Sequence, residues 1–418
     1  MKPLQSQLAD FPQVSGEMRR RPAHTGDAGS LTRKSSRGKF QHECGATPRI
    51  ASISSSGDIR RLWRRWRGRN VSPEGESGNP SHFSGFSSRT CDDVDDDSQT
   101  WAKNSGLFSC LVDIAWISEG LGALVHLRDG RVDYEAIQRL GSWLGSIDGV
   151  KGLVVLGHAG EGTFLTPEEQ LDVIRAFVKS VNNRIPIIAG ITGEGTEVAA
   201  LEAKRAKEAG AQAGLLYPSH GWLRFGYQPG APQDRYKVVY EVSKLPLILF
   251  QYPDNTKANY NLQTLLDIAA LPGVIAMKNG VRNMRRWDTE IPVFRRERPN
   301  VPVLTCHDEY LLHTAFDVDG MLVGYGNIAP EPLIQLIAAG KAKDYKRARE
   351  IHDQLLPVTK AVYHRGSHME GTVALKHALV ARGILSHATV RSPLLPLQDG
   401  AEEEIHAAIS SASLSKVM

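Results

Sequence analysis

Between residues 122 and 338, short apolar runs alternate with segments of helical spacing, eight times over. Consecutive strands separated by a helix must run parallel, since a tight hairpin cannot join them. Eight such units point to a closed (β/α)8 barrel. The strand candidates are 122–127, 152–157, 185–189, 213–217, 245–250, 274–277, 301–305 and 320–323. Helices are expected over 134–144, from Pro167 onward, and over 197–209, 233–243, 262–270, 287–297, 308–316 and 330–338. Thr166-Pro167-Glu168-Glu169 marks a helix start, with a Thr cap, Pro at the first helical position and acids in the first turn.

The chain continues past the alternation with helical patterns over 344–363, 370–382 and 402–411. The expected fold class is therefore α/β: a (β/α)8 TIM barrel with an appended C-terminal helical unit and a disordered N-terminal extension. The boundaries expected are 1–110 for the extension, 111–340 for the barrel and 341–418 for the C-terminal helices. The extension is basic and Ser-rich, with Arg60-Arg61-Leu62-Trp63-Arg64-Arg65-Trp66-Arg67 at its centre and no sustained periodicity. Such a cluster can bind nucleic acid or an anionic surface, but a solvated tail needs no partner, so nucleic acid is not expected. A transit peptide is the alternative for this Arg- and Ser-rich segment, although Asp10, Glu17 and Asp27 interrupt it.

Net charge of +4 is weak support for any polyanionic partner, and no apolar run reaches the roughly 20 residues of a membrane span. Four scattered cysteines, Cys44, Cys91, Cys110 and Cys306, form no CxxC pair and no disulfide framework. A reducing, cytoplasmic compartment is expected.

Barrel chemistry sits at the C-terminal ends of the strands. There the chain places Gly157-His158-Ala159-Gly160-Glu161, Tyr217-Pro218-Ser219-His220, Phe250-Gln251-Tyr252-Pro253, Lys278, Cys306-His307-Asp308 and Tyr325-Gly326-Asn327. The Gly157–Glu161 loop suits a carboxylate, because glycines let amides approach a small anion; a plain tight turn is the alternative. Lys278 closes the apolar run Ile275-Ala276-Met277. An amine must be neutral to attack a carbonyl, and free lysine is under about 0.1% neutral at pH 7. Burial shifts that balance and fits lysine for imine chemistry. His307-Asp308-Glu309 are too close in one loop to converge on a metal, and Asp308 is expected to cap the next helix.

With these motifs in place, residues from roughly 120 to 395 resemble the dihydrodipicolinate synthase/N-acetylneuraminate lyase family of class I aldolases. The resemblance rests on the GxxGE loop at 157–161, the aromatic-x-x-Pro253 strand end, the strand ending in Lys278, and Gly320-Met-Leu-Val-Gly-Tyr-Gly-Asn327. It implies that Lys278 forms a Schiff base with a pyruvate-like 2-oxo acid, that no cofactor or metal takes part, and that the protein is a homodimer or homotetramer. It implies substrate contacts at Gly157, His158, Ala159, Gly160, Glu161 and Leu322.

The departures from that pattern are specific. Phe250 stands where the family has its acid/base tyrosine. Tyr252, two residues on and on the same side of an extended strand, is a candidate substitute relay, as are His158, His220 and Tyr325. His158 and Ala159 replace hydroxyl residues, Ser219-His220 replace a tyrosine, and Asn255, with Lys257 nearby, replaces the arginine that reads a second carboxylate. A lyase or aldolase other than a true dihydrodipicolinate synthase is therefore expected; the alternative is a barrel of impaired catalysis that binds a carboxylate metabolite.

Overall fold

The computed structural model describes the backbone of Ala115–Ile117 and residues 131–417 apart from 159, all within the unit Arg89–Met418. The run 122–127, Ala159 and the basic extension lie outside the described residues. Eight parallel strands close into a barrel in sequence order: β1 Ala115–Ile117, β2 Val150–Val155, β3 Ile187–Ile191, β4 Ala213–Leu216, β5 Leu247–Gln251, β6 Val274–Asn279, β7 Val303–Thr305 and β8 Gly320–Val323. The first strand is thus built from Ala115–Ile117, upstream of the run the alternation suggested. Those three residues pair with both β2 and β8 and so complete the closure.

The helices are α1 Tyr134–Leu144, α2 Pro167–Val181, α3 Thr196–Glu208, α4 His220–Phe225, α5 Ala231–Ser243, α6 Leu262–Ala269, α7 Met284–Glu297, α8 Leu311–Thr314, α9 Pro330–Lys341, α10 Tyr345–Tyr363, α11 His368–Ala381 and α12 Ala401–Ser411. Caps set several boundaries. Thr166 and Glu169 form a reciprocal capping box at α2, and Asn261, Asn283, Asp344 and Ser367 accept first-turn amides of α6, α7, α10 and α11. Asp308 is not a cap. It lies inside a 3-10 turn, Asp308–Tyr310, that precedes the single-turn α8, and its Oδ1 accepts from Tyr325 N and Tyr363 Oη.

Period-two alternation divides the buried strand residues into two sets. Leu247, Leu249, Met277, Val303, Met321 and Val323 pack outward beneath the helices. Val154, Ile188, Leu215, Ile248, Ala276, Leu304 and Leu322 fill the barrel interior. Tyr217, Phe250, Tyr252 and Cys306 continue the interior set at its upper, C-terminal end. α10, α11 and α12 follow the barrel. Tyr325 Oη donates to Leu355 O at 2.9 Å and accepts from Thr359 at 3.1 Å. Both of its roles are committed to α10, which removes Tyr325 from the relay candidates. Among the described residues no helix is long and apolar enough to cross a membrane.

Candidate active site

Register places the decisive pair side by side. In the β5–β6 ladder Phe250 is the partner of Lys278, and across β7 Lys278 is the partner of Leu304. The Lys278 side chain is fully buried, with its Nζ 4.1 Å above the Phe250 ring. The Cys306 thiol, one interior step beyond Leu304, interacts with the same amine. Burial pulls the Lys278 pKa below its ordinary value, against the opposing pull of Cys306 and Asp308. Burial likewise pushes the Cys306 thiol up.

Above this layer lies a cavity of about 570 Å³ at the C-terminal mouth of the barrel. Phe250, Tyr252 and Cys306 line its floor, while Arg282, Asp308, His158 and His220 line its sides. α11 roofs it with His368, Met369, Thr372 and Leu375. Lys278 is one side chain below the lining, covered by Phe250 and Cys306.

Three residues proposed from sequence as relays meet in one chain of contacts. Tyr252 Oη lies 3.2 Å from His158 Nδ1, and His158 Nε2 lies 2.7 Å from His220 Nε2. His220 Nδ1 faces Glu194 Oε2 at 3.6 Å. A consistent set of protons exists: Tyr252 O–H donates to His158 Nδ1, His158 Nε2–H donates to His220 Nε2, and His220 Nδ1–H points at Glu194. Burial, with a lesser electrostatic contribution from His220, pushes the His158 pKa down to about 3, so this imidazole is neutral near pH 7. Burial raises Tyr252 well above the ordinary phenol value, so its hydroxyl keeps its proton. The chain runs from a phenol over the barrel core to an exposed carboxylate.

Glu194 was not evident from sequence. It follows β3, and its carboxylate accepts from Ser219 Oγ, His220 N and Gly221 N, which fixes the start of α4. Burial opposes the charge of Glu194, and these hydrogen bonds outweigh it, so its pKa is lowered. Its loop is itself clamped. Buried Arg235 donates to Gly193 O, Glu194 O and Tyr217 O, and Glu202 accepts from Thr192 N and Gly193 N.

The Gly157–Glu161 loop spends part of its backbone on its own turn. Gly160 N and Gly162 N donate to Gly157 O, and Glu161 N donates to His158 O. Three of the amides that would have formed an anion nest are spent on the turn. Gly162 is required here, since a Cβ would stand 2.2 Å from Leu156 O. Glu161 is turned away from the cavity and fully buried. Its Oε1 pairs with Lys376 Nζ at 2.7 Å, and its Oε2 accepts from Arg391 N at 3.1 Å. It therefore anchors the loop to α11 and the segment beyond it. The loop reaches the cavity through His158. Leu322 is buried in the barrel interior and is not part of the cavity lining.

The cluster after β7 is dispersed among separate partners. His307 Nε2 accepts from Arg282 N at 2.9 Å and its Nδ1 faces Thr305 Oγ1 at 3.1 Å. Glu309 pairs with Arg282 at 3.0 Å. Asn255 and Lys257 are both exposed.

Comparison with known proteins agrees with this fold. The model of the Dihydrodipicolinate synthetase family matches residues 123–412. The 4-hydroxy-tetrahydrodipicolinate synthase of Polynucleobacter asymbioticus is 30% identical over 299 residues, covering 68% of this chain and 91% of that protein. The enzyme of the same name from Neisseria gonorrhoeae is 29% identical over 304 residues, covering 70% and 98%. Among solved structures, the chloride-inhibited dihydrodipicolinate synthase of Acinetobacter baumannii, complexed with pyruvate, matches with a TM-score of 0.62 at 25% identity, over 72% of this chain and 98% of that one.

Proposed function

The chain belongs to the dihydrodipicolinate synthetase family, and on that premise we propose that it is a class I lyase or aldolase acting on a pyruvate-like 2-oxo acid through an imine on Lys278. The observation that carries this reading is the Lys278 amine, fully buried beneath the cavity with its pKa lowered by desolvation. Neutral amine adds to the keto carbon, the resulting hydroxyl leaves as water after protonation, and the iminium withdraws electrons from C3. Pyruvate, present in the Acinetobacter complex, is the simplest substrate of this kind.

Each step moves a proton, and Phe250 cannot carry one. Tyr252 supplies the hydroxyl. Tyr252 takes a proton from the reacting group as its own passes to His158 Nδ1, His158 Nε2–H passes to His220 and His220 Nδ1–H to Glu194, so no buried group holds net charge at the end; the same shifts in reverse deliver a proton. The reaction differs from that of the named synthase relatives, because the arginine position that reads a second carboxylate is the exposed Asn255.

The test is borohydride reduction in the presence of pyruvate. Mass spectrometry is expected to find the reduced adduct on Lys278 and none in Lys278→Ala. A second reading, a carboxylate-binding barrel without turnover, draws on the Phe250 ring packed over the amine. Thermal stabilisation by 2-oxo acids with no adduct in the wild type would select it and overturn the imine.

A further inference from the structure

We propose that the carbonyl compound handled beside the 2-oxo acid is a neutral, largely apolar aldehyde, an aryl aldehyde in the simplest case. This rests on the imine reading and adds the substrate class. A cavity of about 570 Å³ falls in the range that holds a drug-sized ligand, and a three-carbon acid fills only a fraction of it. The remaining wall is formed by Phe164, Tyr252, Pro253, Met369, Leu375 and the ring of Tyr363.

The guanidinium on that wall already faces two carboxylates. Arg282, the guanidinium that lines it, lies 3.0 Å from Glu309 and 4.0 Å from Asp308. His368 lies 3.8 Å from the other Glu309 oxygen. Asp308 Oδ1 accepts from Tyr363 and Tyr325. His158 is engaged on both ring nitrogens. A second substrate carboxylate would lose its hydration and meet two acids around one guanidinium, an uncompensated burial. An apolar arm meets aromatic rings and a thioether, which is favourable burial.

In the cleavage direction the substrate is a 4-hydroxy-2-oxo acid whose C4 carries the apolar group. Lys278 condenses at C2 with loss of water. The 4-hydroxyl gives up its proton to the relay, the C3–C4 bond breaks, and its electron pair moves to C3 and the iminium as an enamine. The aldehyde leaves, C3 takes a proton, and water hydrolyses the imine to pyruvate and free Lys278. Atoms and electrons balance with no further reagent.

The experiment compares pyruvate release by the full-length chain from 4-hydroxy-2-oxo-4-phenylbutanoate and from 4-hydroxy-2-oxoglutarate. kcat/KM is expected to favour the phenyl compound at least tenfold. In Glu309→Gln, where Arg282 loses its partner, that preference is expected to narrow at least threefold. Equal or better cleavage of the dicarboxylate, or no cleavage of either compound, overturns the proposal while a pyruvate adduct on Lys278 leaves the imine standing. Absence of the adduct removes both. A preference unchanged in Glu309→Gln overturns the charge-matching argument behind the aldehyde class.

Discussion

Tyr252→Phe removes one oxygen from the floor of the cavity and is expected to cut the proposed relay off from the proposed imine. Its structural cost is small. The hydroxyl lies 3.2 Å from His158 Nδ1, and losing a hydrogen bond of this kind costs about 0.5–1.5 kcal/mol. Phenylalanine keeps the packing on Phe250 at 4.6 Å between ring centroids, so a cooperative fold with a slightly lower melting temperature is expected. The chemical cost is larger, because a positioned acid–base group is worth about 10²–10⁴-fold, or about 3–5 kcal/mol of barrier. The assay is deuterium uptake at C3 of pyruvate followed by NMR in D2O, which reports imine and enamine formation without an aldehyde. Exchange should fall at least a hundredfold in Tyr252→Phe. The double variant Phe250→Tyr/Tyr252→Phe, which moves the hydroxyl two residues back to the family's position, should recover part of it. Exchange within threefold of wild type in Tyr252→Phe would refute the relay and hand the proton transfers to Cys306 or solvent.

Two further outcomes follow from the buried ionisable groups. Glu161→Ala leaves the Lys376 ammonium buried opposite an apolar stub and should cost about 3–5 kcal/mol in chemical denaturation; Glu161→Ala/Lys376→Met should regain most of it, and equal loss in both variants would contradict the pair's role. His307 has its pKa pushed down to about 3 by burial and by Arg282. The unfolded state, titrating near 6.5, then binds more protons than the fold between pH 6.5 and about 3, so its contribution to stability is present above 6.5 and is lost as pH falls. Wild type should lose up to about 1.4 kcal/mol per pH unit more than His307→Gln between pH 6 and 4, and parallel urea-denaturation profiles would rule this out.

The GxxGE loop shows how a sequence motif can be legible while the direction of its side chains is not. The glycines were legible, and so was a tight turn as the alternative reading. The direction of Glu161 was not, because it depends on Lys376 and Arg391, the latter 230 residues later in the chain. The same holds for Cys306. Period-two counting from Leu304 puts its thiol in the interior, but only the Lys278–Leu304 register brings it to the amine. Glu194 carried no signal beyond its place after a strand, since its role comes from three donors at the start of α4.

By itself the sequence determined the things that depend on local spacing. Alternation demanded parallel strands and a barrel, the apolar run placed Lys278 at a strand end, and two-residue periodicity put Phe250 and Tyr252 on one side. Tertiary structure decided what depends on closure. His158 and Tyr252 lie 94 residues apart and His158 and His220 lie 62 apart, and no propensity brings such groups together. Closing eight strands into a ring does, because it points every strand end at one mouth. That is why the candidate nucleophile could be read from the chain, while the contacts proposed to carry its protons depended on the fold.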